Sequence, residues 1–295
     1  MFTQKRQRWA YLFIMPFTIS FLTFGIYPIF YSLYISFHEY NPLTLKMTGV
    51  GFANYVRLIN SEYFFDSIIN TLQIWIFSII PQLSIALVLS LILNERFVKG
   101  KSTLRSIYYF PNLITPITIG MLFTLLFGYP GGMINLLFKF LRIFGDSIDF
   151  ANTPILAKLV GGIAICWQNF GYNIIFITAG LHSISLDVYE AAEVDGANVF
   201  QKTFNITLPL LRPILLYILI TSVIGGLQIF DIPKMLFKDG AENATRTMTL
   251  YMYEAAFKNW QFGFGASAAY GIAVVIGFFS LLAVMITGRK GKEAK

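Results

Sequence analysis

The side chains that could do chemistry in this chain are few, and they stand inside long apolar runs. Gln168, Asn169, Tyr172 and Asn173 follow Trp167 in one run, and Thr221, Gly225, Gln228 and Asp231 punctuate another. Residues three and four apart share a helix face. Asn169, Tyr172 and Asn173 therefore fall on one face of their helix, and Thr221, Gly225 and Gln228 on one face of theirs. Amides, hydroxyls and aromatic rings can exchange hydrogen bonds with a neutral polyhydroxylated ligand while the rings cover its C–H faces. The same groups also bond one membrane helix to the next, and both readings stand. Polar residues inside apolar spans are functional candidates in either case.

No other set of residues is spaced for catalysis. Gly100-Lys101-Ser102 imitates the end of a phosphate-binding loop, but the glycine required five residues before Gly100 is Glu95. His38 and His182 lie at expected helix ends, with no nucleophile or metal-ligand spacing beside them. Cys166 is the single cysteine, which excludes an internal disulfide and a cysteine-based zinc site; its apolar setting makes it a packing residue. Asn243-Ala244-Thr245 matches a glycosylation sequon and carries no further weight. An intramembrane enzyme would need paired carboxylates or a Ser–Lys pair. A proton-coupled transporter would need buried Asp, Glu or His, and the two polar faces hold none deeper than Asp231. The expectation is a protein that is not an enzyme and carries no cofactor or metal of its own.

The elements that must position these residues follow from composition. Of 295 residues 56% are hydrophobic and only 13% charged, against about a quarter charged in soluble domains. Such a chain cannot cover its surface with polar groups, so lipid solvates much of it. A membrane-crossing helix takes about 20 apolar residues. Six segments qualify, near 10–37, 67–93, 105–128, 155–181, 210–232 and 264–287. Prolines 81, 111, 116, 209 and 213 fall in or at the edges of these segments, as membrane helices tolerate. The first run is too long for a signal peptide and lacks a small-residue cleavage pattern, so it is expected as a retained helix. The prediction is an all-α membrane protein of six transmembrane helices in a single domain, 1–295, with short connections and no internal repeat.

Charge sets the expected orientation. With both termini in the cytoplasm, the inner segments hold Lys5, Arg6, Arg8, Arg96, Lys99, Lys101, Arg105, Lys202, Arg212, Arg289, Lys290, Lys292 and Lys295 against six anions, Glu293 among them; nine cations and nine anions remain outside. The whole net charge of +7 then lies on one side, the positive-inside pattern, and no nucleic-acid partner is needed to explain it. The loop 182–209 falls on the cytoplasmic side. Within it, Glu190-Ala191-Ala192 is expected to begin a short helix, Gly196 to allow a turn that a side chain would obstruct, Asn198–Asn205 to form a second helix, and Pro209 to restart the chain as a membrane helix.

That loop carries a resemblance. Glu190-Ala191-Ala192, then Gly196, then Ile206-Thr207-Leu208-Pro209 has the spacing of the loop by which permeases of bacterial binding-protein-dependent ABC importers grip their ATPases. Ala10–Pro16, Tyr27–Phe37, Gly51–Tyr55, Asn70-Thr71 and Tyr109–Pro111 resemble the carbohydrate branch, the maltose and glycerol-3-phosphate type, and its "F" subunit in particular. The resemblance implies the type I importer permease (MetI-like) fold in a bacterial cell membrane. It implies a second related permease, two ATPase subunits carrying ATP and Mg, an extracellular solute-binding protein and a sugar, expected to be an oligosaccharide. It places ATPase docking on Glu190, Ala191, Ala192, Asp195 and Gly196. It places the substrate path on Gln168, Asn169, Tyr172, Thr221, Ile224, Gly225 and Gln228. A polyol or glycerophosphodiester is the rival cargo; a phosphate favours a cationic path, and these positions include no Lys or Arg.

Overall fold

The computed structural model describes residues 4–95, 97–143, 146–236 and 242–289. Arg96, Lys238, Lys290, Lys292, Glu293 and Lys295, with the C-terminus, lie outside the described residues. Along the chain run α1 (Gln4–Phe21), a π-helical turn (Leu22–Ile26), α2 (Tyr27–Ser36), strands β1 (His38–Asn41) and β2 (Lys46–Gly49), α3 (Ala53–Ile59), α4 (Glu62–Asn94), α5 (Lys101–Tyr109) and a 3-10 turn (Phe110–Leu113). Then come α6 (Pro116–Phe127), α7 (Met133–Phe140), α8 (Pro154–Leu181), α9 (Leu186–Val194), α10 (Val199–Gln201) and a π turn (Lys202–Thr207). The rest is α11 (Leu208–Gly226), α12 (Asp231–Met235), α13 (Glu242–Thr245), α14 (Met248–Tyr253), a π turn (Glu254–Lys258) and α15 (Phe262–Arg289).

Among the described residues, five helical stretches are long and apolar enough to cross a membrane: Tyr11–Ser36, Glu62–Asn94, Pro154–Leu181, Val199–Met235 and Phe262–Met285. A sixth arises only if Lys101–Leu113 and Pro116–Phe127, bent by 90°, count as one. The single span expected over 105–128 is thus two helices at a right angle. The prolines cause the break. A following proline ring disfavours helical geometry at the residue before it, and Thr115, before Pro116, is extended at φ −62°, ψ 139°. Its hydroxyl then accepts the Thr118 N–H at 3.4 Å and caps α6.

The described residues divide into two compact units. One comprises the chain up to Phe64 with Tyr251–Val274. Here the protein departs from all-α: β1 and β2 pair antiparallel, His38 opposite Gly49 and Asn41 opposite Lys46. The sequence reading had a plain loop there. The signal it lacked is a side-chain turn, since Asn41 Oδ1 accepts the Leu43 N–H at 2.9 Å. Asn54 then ties α3 to the hairpin by donating to the Ser36 and His38 carbonyls at 2.9 and 3.0 Å. His38 itself bonds through Nδ1 to the Tyr34 carbonyl at 2.8 Å, a structural contact. The most apolar window of Tyr11–Ser36 contains no buried residue.

The other unit comprises Phe65–Leu250 with Val275–Lys295 and is organised on α8. Two apolar clusters form on it. Toward its start, Ala157, Val160, Ala164 and Ile165 pack with Ile74 of α4, Ile119 and Phe123 of α6, and Ile232 and Leu236 near α12. Toward its end, Ile174, Ile177 and Leu181 pack with Ala86 and Leu93 of α4 and Leu211 and Ile218 of α11. Close approach depends on small residues. A Cβ on Gly171 would strike the Tyr108 carbonyl, one on Gly162 would lie 2.6 Å from the Phe77 Cβ, and one on Gly180 would enter the Leu211 and Ile214 side chains.

Backbone cannot move aside as a flexible side chain can. Gly171→Ala is therefore expected to destabilise the protein by roughly 1–3 kcal/mol, the usual scale of overpacking, seen as a lower melting temperature in detergent. Gly277→Ala, where a Cβ meets nothing within 4 Å, should leave it unchanged.

Candidate functional site

Between the two apolar clusters the same three helices turn polar. A cavity of about 400 Å³ opens there, walled by Trp75, Ser78 and Gln82 of α4, Gln168, Asn169, Tyr172 and Asn173 of α8, Thr221, Ser222 and Gly225 of α11, and Gln228 and Asp231 beyond it. Of the seven residues expected on a substrate path, Gln168, Asn169, Tyr172, Thr221, Gly225 and Gln228 are brought together in this wall. Ile224 is not in it. The turn from α11 sets the angle: neighbours on a helix point about 100° apart, so Gly225 can face the cavity while Ile224 does not.

The hydrogen bonds show how much of the wall is already committed. Gln168 Nε2 donates to the Ile114 carbonyl at 3.2 Å. Asn169 Nδ2 donates to the Ile165 carbonyl at 2.9 Å, and its Oδ1 accepts from Asn112 Nδ2 at 3.3 Å. Thr221 returns its proton to the carbonyls of Tyr217 and Ile218 at 2.9 and 3.1 Å. These groups hold helices together and line the cavity at once, so the two readings of the polar faces coexist. Asn173 differs: it is buried, and its Nδ2 has no partner among the described residues. The Tyr172 and Phe176 rings lie 4.7 Å apart, and Phe176 and Tyr217 5.2 Å, giving an aromatic flank. No Lys or Arg is among the lining residues, and Asp231 is the one carboxylate.

Sequence reasoning missed the α4 part of this wall. Trp75, Ser78 and Gln82 recur at helical spacing in an apolar run, and that was the available signal. Trp75 Nε1 donates to Ser222 Oγ at 3.0 Å, locking α4 to α11. Gly226 makes room for it, because a Cβ there would collide with the Trp75 ring. At Gly225 a Cβ would meet nothing within 4 Å: the adjacent glycines have opposite duties, one for packing and one leaving the cavity floor open.

The loop after α8 is the second candidate. Ser185 starts α9 by accepting the Asp187 N–H at 3.3 Å. Glu190-Ala191-Ala192 therefore lies in the middle of that helix and does not begin it; the N-cap decides the start, four residues before the charged motif residue. Glu190, Ala191, Asp195 and Gly196 are exposed and Ala192 is buried. Gly196 has φ +78° and closes α9 with two bonds, Gly196 N–H to the Glu193 carbonyl at 3.0 Å and Ala197 N–H to Ala192 at 2.9 Å. This is the left-handed cap that glycine alone adopts without strain. Asn198 and Gln201 form a capping box. Beyond it the helix does not stop at Asn205. It widens into the π turn Lys202–Thr207 and continues as α11, so Pro209 falls in an early turn of an ongoing helix and restarts nothing. Two bonds brace α9 against this turn. Lys202 Nζ meets Glu193 Oε1 at 2.8 Å. Tyr189 OH and Thr207 Oγ1 are 3.0 Å apart; Thr207 gives its own proton to the Lys202 carbonyl at 3.1 Å, so Tyr189 is the donor. Val194, Phe200 and Phe204 stand exposed around the loop.

Comparison with known proteins identifies the architecture. The family model described as the binding-protein-dependent transport system inner membrane component matches residues 73–287. The chain belongs to this family. It is thus a multi-pass inner-membrane component of a transport system that depends on a binding protein, and not the ATP-hydrolysing part. It is 31% identical to the arabinooligosaccharides transport system permease protein AraP of Bacillus subtilis (strain 168), over 94% of this chain and 88% of that one. It is 32% identical to the lactose transport system permease protein LacF of Rhizobium radiobacter, over 92% of each. Among solved structures, a bacterial alginate ABC transporter in complex with alginate pentasaccharide-bound periplasmic protein contains a chain of TM-score 0.83 and 25% identity, with 97% of this chain and 96% of that chain covered. The fold is the type I (MetI-like) permease fold that the sequence resemblance implied.

Gly225 and its neighbour Ile224 make a test of the cavity. Gly225→Cys in the membrane-embedded protein should react with a water-soluble thiol reagent at least tenfold faster than Ile224→Cys, while the buried Cys166 stays unreactive. Equal rates at 224 and 225 would show that the cavity is not the hydrated side of α11.

Proposed function

We propose that this chain is one permease half of an ATP-driven importer for a neutral sugar, an oligosaccharide by size class. A second, related permease completes the path, two ATPase subunits dock on the loop 182–209, and a solute-binding protein delivers cargo at the opposite face. The sugar relatives support the cargo class. So does the wall chemistry: amides, hydroxyls and aromatic rings with no cation favour a neutral glycan over a phosphate-bearing polyol or diester. The excess of Lys and Arg on the loop side supports cytoplasmic termini.

The observation that carries the reading is the continuity of the segment from the loop to the cavity. From Val199 through the π turn to Gly226 the chain is helical throughout, roughly 40 Å of rod at about 1.5 Å per residue. Its lower end is bonded to α9, and its upper end carries Thr221, Ser222 and Gly225. A push on α9 by a closing ATPase dimer reaches the cavity wall along this rod. Alternating access then needs only two packings of the same helices, biased by ATP on one side and by the loaded binding protein on the other. Tyr189, Thr207, Glu193 and Lys202 keep the push from being lost at the joint, and exposed Glu190 with Val194 and Phe200 supplies the mixed polar and apolar face a partner can cover.

Docking and cargo can be tested separately. In the reconstituted complex Gly196→Pro and Glu190→Lys should abolish ATP hydrolysis stimulated by the loaded binding protein while the permease still inserts; normal stimulation in both would reject the docking assignment. Gln228→Leu and Asn169→Leu should lower sugar uptake at least tenfold while stimulated hydrolysis persists in part. Unchanged uptake in both would leave those amides with helix packing alone.

A further inference from the structure

The short helix α7, between α6 and α8, has a face that none of the described residues covers. Ile134 and Phe138, four residues apart, pack on the first apolar cluster. Buried Asn135 fixes the helix to its surroundings: its Nδ2 donates to the Gly128 and Ile148 carbonyls at 3.3 and 3.0 Å, and its Oδ1 accepts the Ile148 N–H at 2.8 Å. The opposite stripe, Met133, Leu136, Leu137 and Phe140, follows the helical period and is exposed, Phe140 at 84% and Met133 at 65%. A helix pinned this firmly does not turn that stripe inward.

Two further observations say what lies against it. First, α8 is long and apolar enough to cross a membrane, and α6 is half of the bent pair. The loop 182–209 leaves the far end of α8, and α7 precedes its other end. Second, the charge on α7 and its cap is one-signed. Lys139 and Arg142 are exposed, and the next acid along the chain, exposed Asp146, comes after both. This runs against the overall bias of cations toward the loop side. Arg142 even occupies a left-handed position, φ +53°, as the residue after the helix cap, with Ile143 N–H bonded back to Phe138 at 3.0 Å. Glycine fits that position best, yet the chain places a cation there. Apolar residues on one stripe with Lys and Arg beside it are the composition of a helix lying in a lipid interface.

We propose that α7 is an interfacial anchor: it lies in the plane of the headgroups, with the Met133–Phe140 stripe about 5–10 Å into the acyl boundary and Lys139 and Arg142 on the phosphates of anionic lipids. It holds the first apolar cluster, and through Ile232 the rim of the cavity, at a fixed depth while α11 moves. The proposal does not rest on the identity of the cargo.

The test uses the assembled importer in lipid nanodiscs. Nitroxides are attached at Leu136→Cys, Phe140→Cys and Lys139→Cys in turn, with other reactive cysteines removed, and collision with oxygen is compared with collision with a water-soluble nickel chelate. Labels at 136 and 140 should favour oxygen and the label at 139 should favour nickel. Nickel access at 136 and 140 would overturn the proposal in favour of a solvent-facing stripe; access by neither reagent would overturn it in favour of a protein partner. Separately, Lys139→Gln with Arg142→Gln should lower the enrichment of phosphatidylglycerol over phosphatidylcholine around the complex by roughly fivefold per cation removed. Unchanged enrichment would refute the headgroup contact.

Discussion

The close approach of α8 to its neighbours is the constraint on which the larger unit rests. Gly162, Gly171 and Gly180, spaced by nine residues, let α4, α5 and α11 come near enough for two apolar clusters to close on one helix. In lipid there is no hydrophobic drive to pull helices together, so small residues and the contacts they permit take that part. Because the clusters form at either end of α8, the middle of the helix is the one place where neighbours need not be apolar. The polar belt of Gln82, Gln168, Asn173 and Ser222 sits in that gap. The cavity is where packing stops, held open from both sides by packing that does not.

The segment from loop to cavity follows the same economy. It stays helical from Val199 to Gly226 despite Pro209 and Pro213, so in the proposed role no break would absorb motion along it. Within the π turn the Thr207 hydroxyl bonds the Lys202 carbonyl while receiving Tyr189's proton. The irregularity is thereby made into a joint with defined partners. It lies on the helix that reaches the cavity, beside the exposed motif residues.

How much of this could be read from the residues follows from the range of the forces involved. The spans were legible because burial in lipid is a property of composition over twenty residues. Gly196 was legible because a positive φ is demanded locally and glycine meets it. The faces of α8 and α11 were legible because helical period fixes direction, and this brought six of the expected path residues to one cavity. The α4 wall was legible in principle, at 75, 78 and 82, but those three residues carry no charge and belong to no motif. The right-angle bend needed two prolines read jointly with Thr115, and the hairpin needed Asn41 read as a turn former. The start of α9 turned on Ser185, a cap hidden beside a more conspicuous motif. The hairpin and the start of α9 were cases where one side-chain hydrogen bond set a boundary that propensity left free.

The committed donors of the cavity wall bear on how long a solute stays. Gln168, Asn169 and Thr221 each already give a proton to a carbonyl of the protein itself, and the Asn173 amide has no partner among the described residues. Under the proposed function, a solute in this cavity would meet a wall whose groups are partly engaged, and so would gain few new bonds for the water it sheds. A path must hold its cargo weakly enough to let it go, and in the proposed role a wall already partly satisfied by its own protein would favour release.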